Sequence, residues 1–260
     1  MSWTLAITGK GGVGKTTLAA LAVRWLTEQG HDPVLAVDAD PNVCLDALLG
    51  VQIHSAVGSV REEVRQIAQA QPTSTGGMGK QQLLEMRIQE SLVEADRFDL
   101  VAMGRPEGPG CYCYANNVLG AAIRRLARAY KTVVIDNEAG LENLSRRIVQ
   151  QVDYLLFVAD PSARGLKTAR KLYDLAVEMQ IDAGAMGVVV NRARDGECLD
   201  RARRIFDNTP VSLVGGIPES EELGVRDAAA EPVWTLPQED GVYTAASAVF
   251  EKILRGRDNG

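Results

Sequence analysis

The segment Ala6-Ile-Thr-Gly-Lys-Gly-Gly-Val-Gly-Lys-Thr-Thr17 constrains this chain more than any other. Gly9, four residues and then Gly14-Lys15-Thr16 have the spacing of a phosphate-binding loop. In such a loop backbone N–H groups surround phosphate oxygens, the lysine reaches the outer phosphates and the hydroxyl meets Mg²⁺. The flanks agree with that reading. Ser2 to Ile7 is mostly apolar and reads as a strand, and after Thr17 the residues Leu18, Leu21, Ala22 and Trp25 recur at helical spacing.

Further apolar runs repeat the strand signal with helical patterns between them. Strands are expected at residues 5–8, 34–37, 99–103, 133–136, 154–158, 187–190 and 211–217. This alternation predicts an α/β fold of the P-loop NTPase type, a mostly parallel central sheet with helices on both faces. Gly30 ends the first helix, residues 163–179 form an amphipathic one, and another spans 219–230. Between the second and third strands, helical patterns at 60–70 and 80–95 flank a Gly- and Thr-rich stretch at 71–79 that reads as a mobile surface loop. No repeat or linker divides the chain, so residues 1–260 are expected to form a single P-loop ATPase domain.

Composition excludes some classes. A net charge of −6 argues against a protein that coats nucleic acid, because neutralising phosphates needs a surplus of Lys and Arg. The clusters Arg124, Arg125, Arg128 and Arg201, Arg203, Arg204 read as solvated helix faces, and His31 and His54 stand without ligand-spaced partners. No apolar run reaches about 18 residues, and the first strand begins close to Met1 without a charged-then-apolar leader. The expectation is a cytoplasmic protein with no nucleic-acid partner and no stable membrane insertion. The C-terminal pattern of Val249, Phe250, Ile253 and Leu254 suits a short amphipathic anchor or a helix docked on the core.

Two further segments bring acids to the expected site. Val37-Asp38-Ala39-Asp40-Pro41 sets two carboxylates at the carboxyl edge of the sheet, where at least one should face phosphates; capping the next short helix is the other use. Thr132-Val-Val-Ile-Asp136 is an apolar strand ending in a carboxylate, the Walker B arrangement, so Thr16 and Asp136 are the expected Mg²⁺-side groups. The cysteines divide by context. Cys44 reads as a small buried hydrophobe and Cys198 as a loop or helix-start residue without a partner, whereas Cys111 and Cys113 sit one residue apart in a Gly- and Pro-rich loop. Two thiolates cannot close a tetrahedral site, but a two-fold dimer supplies four, a set suited to Zn²⁺, Ni²⁺ or an iron–sulfur cluster.

Lys10, just after the first glycine, distinguishes this loop from ordinary ones. Gly-Lys-Gly-Gly-Val-Gly-Lys-Thr-Thr resembles the deviant Walker A loop of the family that includes the nitrogenase iron protein and the division-site and partitioning ATPases. The resemblance implies a homodimer in which Lys10 crosses to the partner's nucleotide, with Lys10, Lys15 and Asp40 as the catalytic residues, Asp40 positioning the attacking water. Asp38 is the second choice for that role, or a partner of Mg²⁺-bound water. It further implies nucleotide contacts from Gly9, Lys10, Gly11, Gly12, Val13, Gly14, Lys15, Thr16 and Thr17. Gly140 would approach the γ-phosphate, Asn191 and Arg192 would read adenine, and Ile217 and Pro218 would cover it. No Asp stands two residues after a Lys near Asn191, which favours ATP over GTP.

The Cys111/Cys113 pair resembles that of the nickel-inserting accessory ATPases of carbon monoxide dehydrogenase, which implies Ni²⁺ or Zn²⁺ as cargo and the apo-dehydrogenase as client. The nitrogenase iron protein takes its second cluster ligand just past switch II, and residues 140–152 here contain no cysteine. An ATP-gated iron–sulfur reductase is the alternative, and a membrane- or DNA-positioning ATPase a further one.

Overall fold

The computed structural model describes residues 2–60, 63, 80–105, 120–121, 123–141 and 151–258. Eight strands form one sheet: β1 (Trp3–Gly9), β2 (Val34–Asp38), β3 (Val93–Glu94), β4 (Phe98–Ala102), β5 (Thr132–Asp136), β6 (Gln151–Ala159), β7 (Asp182–Ala193) and β8 (Ser212–Pro218). Their order is β3-β4-β2-β5-β1-β6-β7-β8, and all neighbours run parallel except β3 against β4. Among the described residues the main helices are α1 (Lys15–Glu28), α2 (Leu45–Leu49), α3 (Lys80–Glu90), α4 (Ala163–Glu178), α5 (Gly196–Phe206), α6 (Glu221–Ala228) and α7 (Gly241–Asp258).

A parallel sheet must bury both faces, and the alternation of side chains along each strand divides the core in two. Leu35, Val37, Val133, Ile135, Leu155 and Phe157 face one side with residues from α3, α4 and α5. Val34, Ala36, Val134, Leu156 and Val158 face the other, against α1, α2 and α7. The resulting architecture is the expected α/β P-loop NTPase fold. Because β1, β2 and β5 are adjacent and parallel, their carboxyl ends deliver the loop after Gly9, Asp38 and Asp136 to one edge.

One expectation changes, and one open alternative closes. The helical pattern at 80–95 stops at Glu90, where the Ser91 N–H and hydroxyl close the last turn on Arg87 O (3.0 Å) and Ile88 O (2.8 Å). Val93 and Glu94 then pair with Leu100 and Asp99, a strand too short to reveal its period in sequence. The C-terminal helix is docked, not free. Val249, Phe250 and Ile253 of α7 are buried, with Trp25 and Phe250 ring centroids 5.9 Å apart. Each such side chain stabilises the core by roughly 1.5–3 kcal/mol, so this apolar stripe is not available to a bilayer. Among the described residues, no helix is long and apolar enough to cross a membrane. The 71–79 stretch lies outside the described residues.

Candidate active site

The loop between β1 and α1 owes its shape to its glycines. A Cβ at Gly9 would stand 2.5 Å from the Val158 carbonyl oxygen of neighbouring β6. Gly14, the N-cap of α1, has φ 90°, and a Cβ there would lie 2.3 Å from Asn191 Nδ2. Bare backbone at a helix N-terminus is the arrangement that receives phosphate oxygens. Lys15 is buried and its Nζ donates to Lys10 O at 3.2 Å. Desolvation holds the Lys15 ammonium below its usual pKa, against the pull of Asp136, Asp40 and Glu138. Phosphate oxygens would supply the partners that burial denies it. The residue Lys10 is exposed, on the outer side of the loop.

Asp38 and Asp136 are register partners at the ends of β2 and β5, and both are buried. Asp38 Oδ1 accepts from Asp40 N (3.0 Å), and Oδ2 from Cys44 N (2.8 Å) and Leu45 N (2.9 Å). Both of its oxygens therefore hold the turn into α2. Asp136 is different. The nearby Thr16 hydroxyl favours its charged form, but its Oδ1 is buried with no partner among the described residues. Desolvation raises its pKa to about 7. An orphaned carboxylate oxygen beside a Thr hydroxyl at the phosphate end of the loop fits a hydrated Mg²⁺, so Thr16 and Asp136 are the residues that would hold one. Asp40, half-exposed, accepts through Oδ1 from Asn42 N (2.8 Å) and Asn42 Nδ2 (3.0 Å).

The segment after β5 is fastened to β1. Asn137 gives its N–H (3.1 Å) and its side-chain amide (3.0 Å) to Ile7 O, and the Thr8 hydroxyl donates to Gly140 O (2.6 Å). Gly140 has φ 94°, and its N–H donates to Gly9 O at 3.2 Å, so in this conformation it is bonded to the loop. On the far side of the loop, Asn191 Nδ2 donates to Val13 O at 2.7 Å, and Arg192 adopts φ 55° at a bulge in β7. A cavity of about 310 Å³ opens there between Gly14, Asn191, Arg192, Ile217, Pro218 and Leu223. A second cavity, of about 470 Å³, follows Gly12, Lys15, Thr16 and Thr17 toward Cys44. The first suits a base and the second a phosphate chain.

The model of the CobQ/CobB/MinD/ParA nucleotide binding domain matches residues 4–233. The chain belongs to that family. It is an ATPase of the MinD/ParA type, with the loop and both acids at the expected sheet edge. An uncharacterized ATP-binding protein of Methanocaldococcus jannaschii is 39% identical over 252 residues, covering 96% of this chain and 98% of the relative. The carbon monoxide dehydrogenase accessory protein CooC of Rhodospirillum rubrum is 29% identical over 264 residues, covering 96% and 97%. The cell division ATPase MinD of Pyrococcus furiosus shares the fold at 19% identity, with a TM-score of 0.71 over 98% of this chain and 99% of that one.

Within this MinD/ParA-type ATPase the cysteines depart from expectation. Cys44 is exposed rather than buried, because Asp38 draws its N–H inward as the N-cap of α2 and turns its side chain toward the phosphate cavity. Partial desolvation and then the surrounding carboxylates, Asp38 foremost among them, push its thiol pKa up. Cys198 is buried and partnered: Asp195 caps its N–H (3.0 Å) and accepts from its thiol through the backbone oxygen (2.9 Å). Cys111 and Cys113 lie outside the described residues. Among the described residues, no three His, Cys, Asp or Glu side chains converge as a metal-ligand set. Sequence reading missed Thr8, Asn137 and the acids Asp227 and Glu231, which line both cavities. Thr8 and Asn137 stand next to motif residues, whereas the two acids carry no local signal.

Proposed function

We propose that this ATPase is a homodimeric metallochaperone that couples ATP binding and hydrolysis to the handling of Ni²⁺ or Zn²⁺ at Cys111 and Cys113, and that it assists nickel insertion into apo-carbon monoxide dehydrogenase. The ATPase half rests on the orphaned Asp136 Oδ1 beside Thr16 and Lys15. Mg²⁺ held by Thr16 and Asp136 would supply charge neutralisation at the β- and γ-phosphate oxygens. Lys15 and the amides from Gly11 to Thr17 bind the phosphates. Asp40 is the water-positioning acid because Asp38 has both oxygens engaged by backbone N–H groups. Water attacks the γ-phosphorus, the bond to the β–γ bridging oxygen breaks, and Lys10 of each protomer offsets charge at its partner's nucleotide. Gly140 releases Gly9 O when its N–H turns to the γ-phosphate, which gives the loop after β5 two states.

The metal half is supported by the Cys-Tyr-Cys sequence and by similarity to CooC along 96% of the chain. Four thiolates gathered at a two-fold axis would respond to closure. The buried stripe of α7 weighs against the membrane-positioning alternative. The test is metal analysis of anaerobically purified dimer with and without nucleotide. One Ni²⁺ or Zn²⁺ per dimer, lost in both Cys111→Ser and Cys113→Ser, is the expected result. Iron–sulfur absorption in the visible range would transfer the assignment to the ATP-gated reductase, and one ion per monomer would remove the shared site.

A further inference from the structure

Arg24, in the second half of α1, is a buried cation that takes no part in the phosphate loop. Its Nη1 donates to Leu236 O at 2.6 Å and its Nε to Glu28 Oε1 at 2.8 Å, and its guanidinium carbon stands 4.1 Å from the centroid of the Tyr243 ring. The same Glu28 accepts through Oε2 from the Tyr243 hydroxyl and from Gln238 Nε2 (3.3 Å). The contacts that Arg24 makes with Leu236 and Tyr243 both lead to the cavity that suits a base. The Leu236 N–H donates to Val233 O at 3.2 Å, closing the 3₁₀ turn Val233–Thr235, and Tyr243 follows Val242 in the first turn of α7. Val233 and Val242 line that cavity together with Leu18 and Leu21 of α1. Arg226 also holds the turn, its Nη1 3.1 Å from Thr235 Oγ1. That bond ties the turn to α6, whereas Arg24 ties it to the helix that starts in the phosphate loop.

An ion pair taken out of water is seldom more stabilising than apolar side chains of the same volume, so its yield is better sought in geometry. A guanidinium serves geometry well, because its donors form a rigid planar fork. Helix α1 begins at Lys15 and carries Arg24 about 13 Å further along its axis, so one rigid element spans both halves of the site. We propose that Arg24 is a positioning residue for nucleotide binding, which sets the Val233 and Val242 wall of the base cavity at a fixed distance from the phosphate loop so that base and phosphates are held at once. The inference rests on the reading of the two cavities as one nucleotide site. Without the clamp the Leu236 carbonyl loses its donor and the 3₁₀ turn its tie to α1, so the wall is free to move away from a base while the phosphate loop keeps its shape.

Steady-state ATP hydrolysis by the full chain, with urea unfolding of the same samples, tests this. In Arg24→Met, which keeps an apolar stem without the guanidinium, KM for ATP should rise about tenfold while kcat stays within about twofold of the parent, the pattern of lost uniform binding. That variant leaves Glu28 without its cation, so Arg24→Met combined with Glu28→Gln separates geometry from charge; the same rise in KM is expected there at near-parental stability. Arg24→Lys, which replaces the fork by a single ammonium, should raise KM about threefold. A parental KM in the double variant, or a fall in kcat as large as the rise in KM, reduces Arg24 to a part of the core and overturns the proposal. If neither Met variant folds, Arg24→Lys decides by the same two outcomes. In the parent, ADP should bind at least about tenfold more tightly than pyrophosphate, which carries the same phosphates without the adenosine. Equal binding of the two would overturn the reading of the cavity as a base site, a failure distinct from an unchanged KM.

Discussion

The carboxyl ends of β2 and β5 lie side by side, and each ends in a buried aspartate in register with the other. The two residues nevertheless have different occupations. Asp38 accepts three backbone N–H bonds and closes the turn into α2, whereas Asp136 keeps a buried oxygen with no partner among the described residues. A buried polar group left unsatisfied costs free energy, so a fold retains one where a ligand completes it. The satisfied aspartate is architecture, and the unsatisfied one is chemistry. This division supports the proposal that Mg²⁺ binds on the β5 side, while the β2 side holds the shape of the loop.

The largest expected effect comes from Asp136. Asp136→Asn should lower Mg²⁺-dependent ATP turnover by about 10²- to 10³-fold, in line with loss of a charge that organises phosphoryl transfer. It should leave the folded state intact, since an amide fits where a carboxylate was strained for partners. Steady-state hydrolysis and a melting curve on the same sample measure both. Turnover within tenfold of the parent would put the metal elsewhere.

The reverse is expected at Asp38. Asp38→Ala strips three N–H groups of their acceptor, that of Leu45 buried and those of Asp40 and Cys44 partly so, which should destabilise the protein by about 2 kcal/mol. Urea unfolding reads this directly. A variant of parental stability with lost turnover would place Asp38 among the phosphate-facing groups and dissolve the comparison.

pH sharpens it next. In metal- and nucleotide-free protein the Asp136 pKa is raised from 3.8 to about 7, with desolvation the first cause. A group whose pKa is raised by folding contributes stability that is complete below about pH 4 and is lost as pH rises through 7. At 1.36 kcal/mol per unit the loss is at most about 4 kcal/mol. Measured in chelator, the stability of Asp136→Asn minus that of the parent should therefore grow by about 2–4 kcal/mol between pH 4 and pH 8. A flat difference would mean that water or a neighbour already satisfies the carboxylate.

How much of this was legible beforehand follows from where each signal lies along the chain. The loop from Gly9 to Thr17 and the apolar strand into Asp136 are local patterns, so both were readable, as were the parallel strands that present them. The difference between Asp38 and Asp136 was not, because it depends on N–H groups at Cys44 and Leu45 that reach Asp38 only once α2 forms. Cys44 misled for the same reason: its apolar neighbours Val43 and Leu45 suggest burial, yet capping geometry exposes it. Asp227 lies some 200 residues from the loop it faces, and no spacing rule connects them.

The smallest expected effect tests the loop that follows Asp136. Gly140 has φ 94°, and a Cβ added there would meet nothing within 4 Å, so any cost of a side chain comes from the backbone alone. Gly140→Ala should destabilise the nucleotide-free protein by about 1–2 kcal/mol, the cost of holding an L-residue in left-handed conformation. The loop can relieve that strain only by giving up the bonds from Gly140 N to Gly9 O and from the Thr8 hydroxyl to Gly140 O. Those bonds anchor the β5 side of the site and have no counterpart in the turn that Asp38 holds. Hydrogen exchange should accordingly show faster opening at Gly140 and its neighbours, with protection at Cys44 and Leu45 unchanged. Equal loosening on both sides would show that the two strand ends move as one unit, and the separation of architecture from chemistry would then be a property of the static arrangement only.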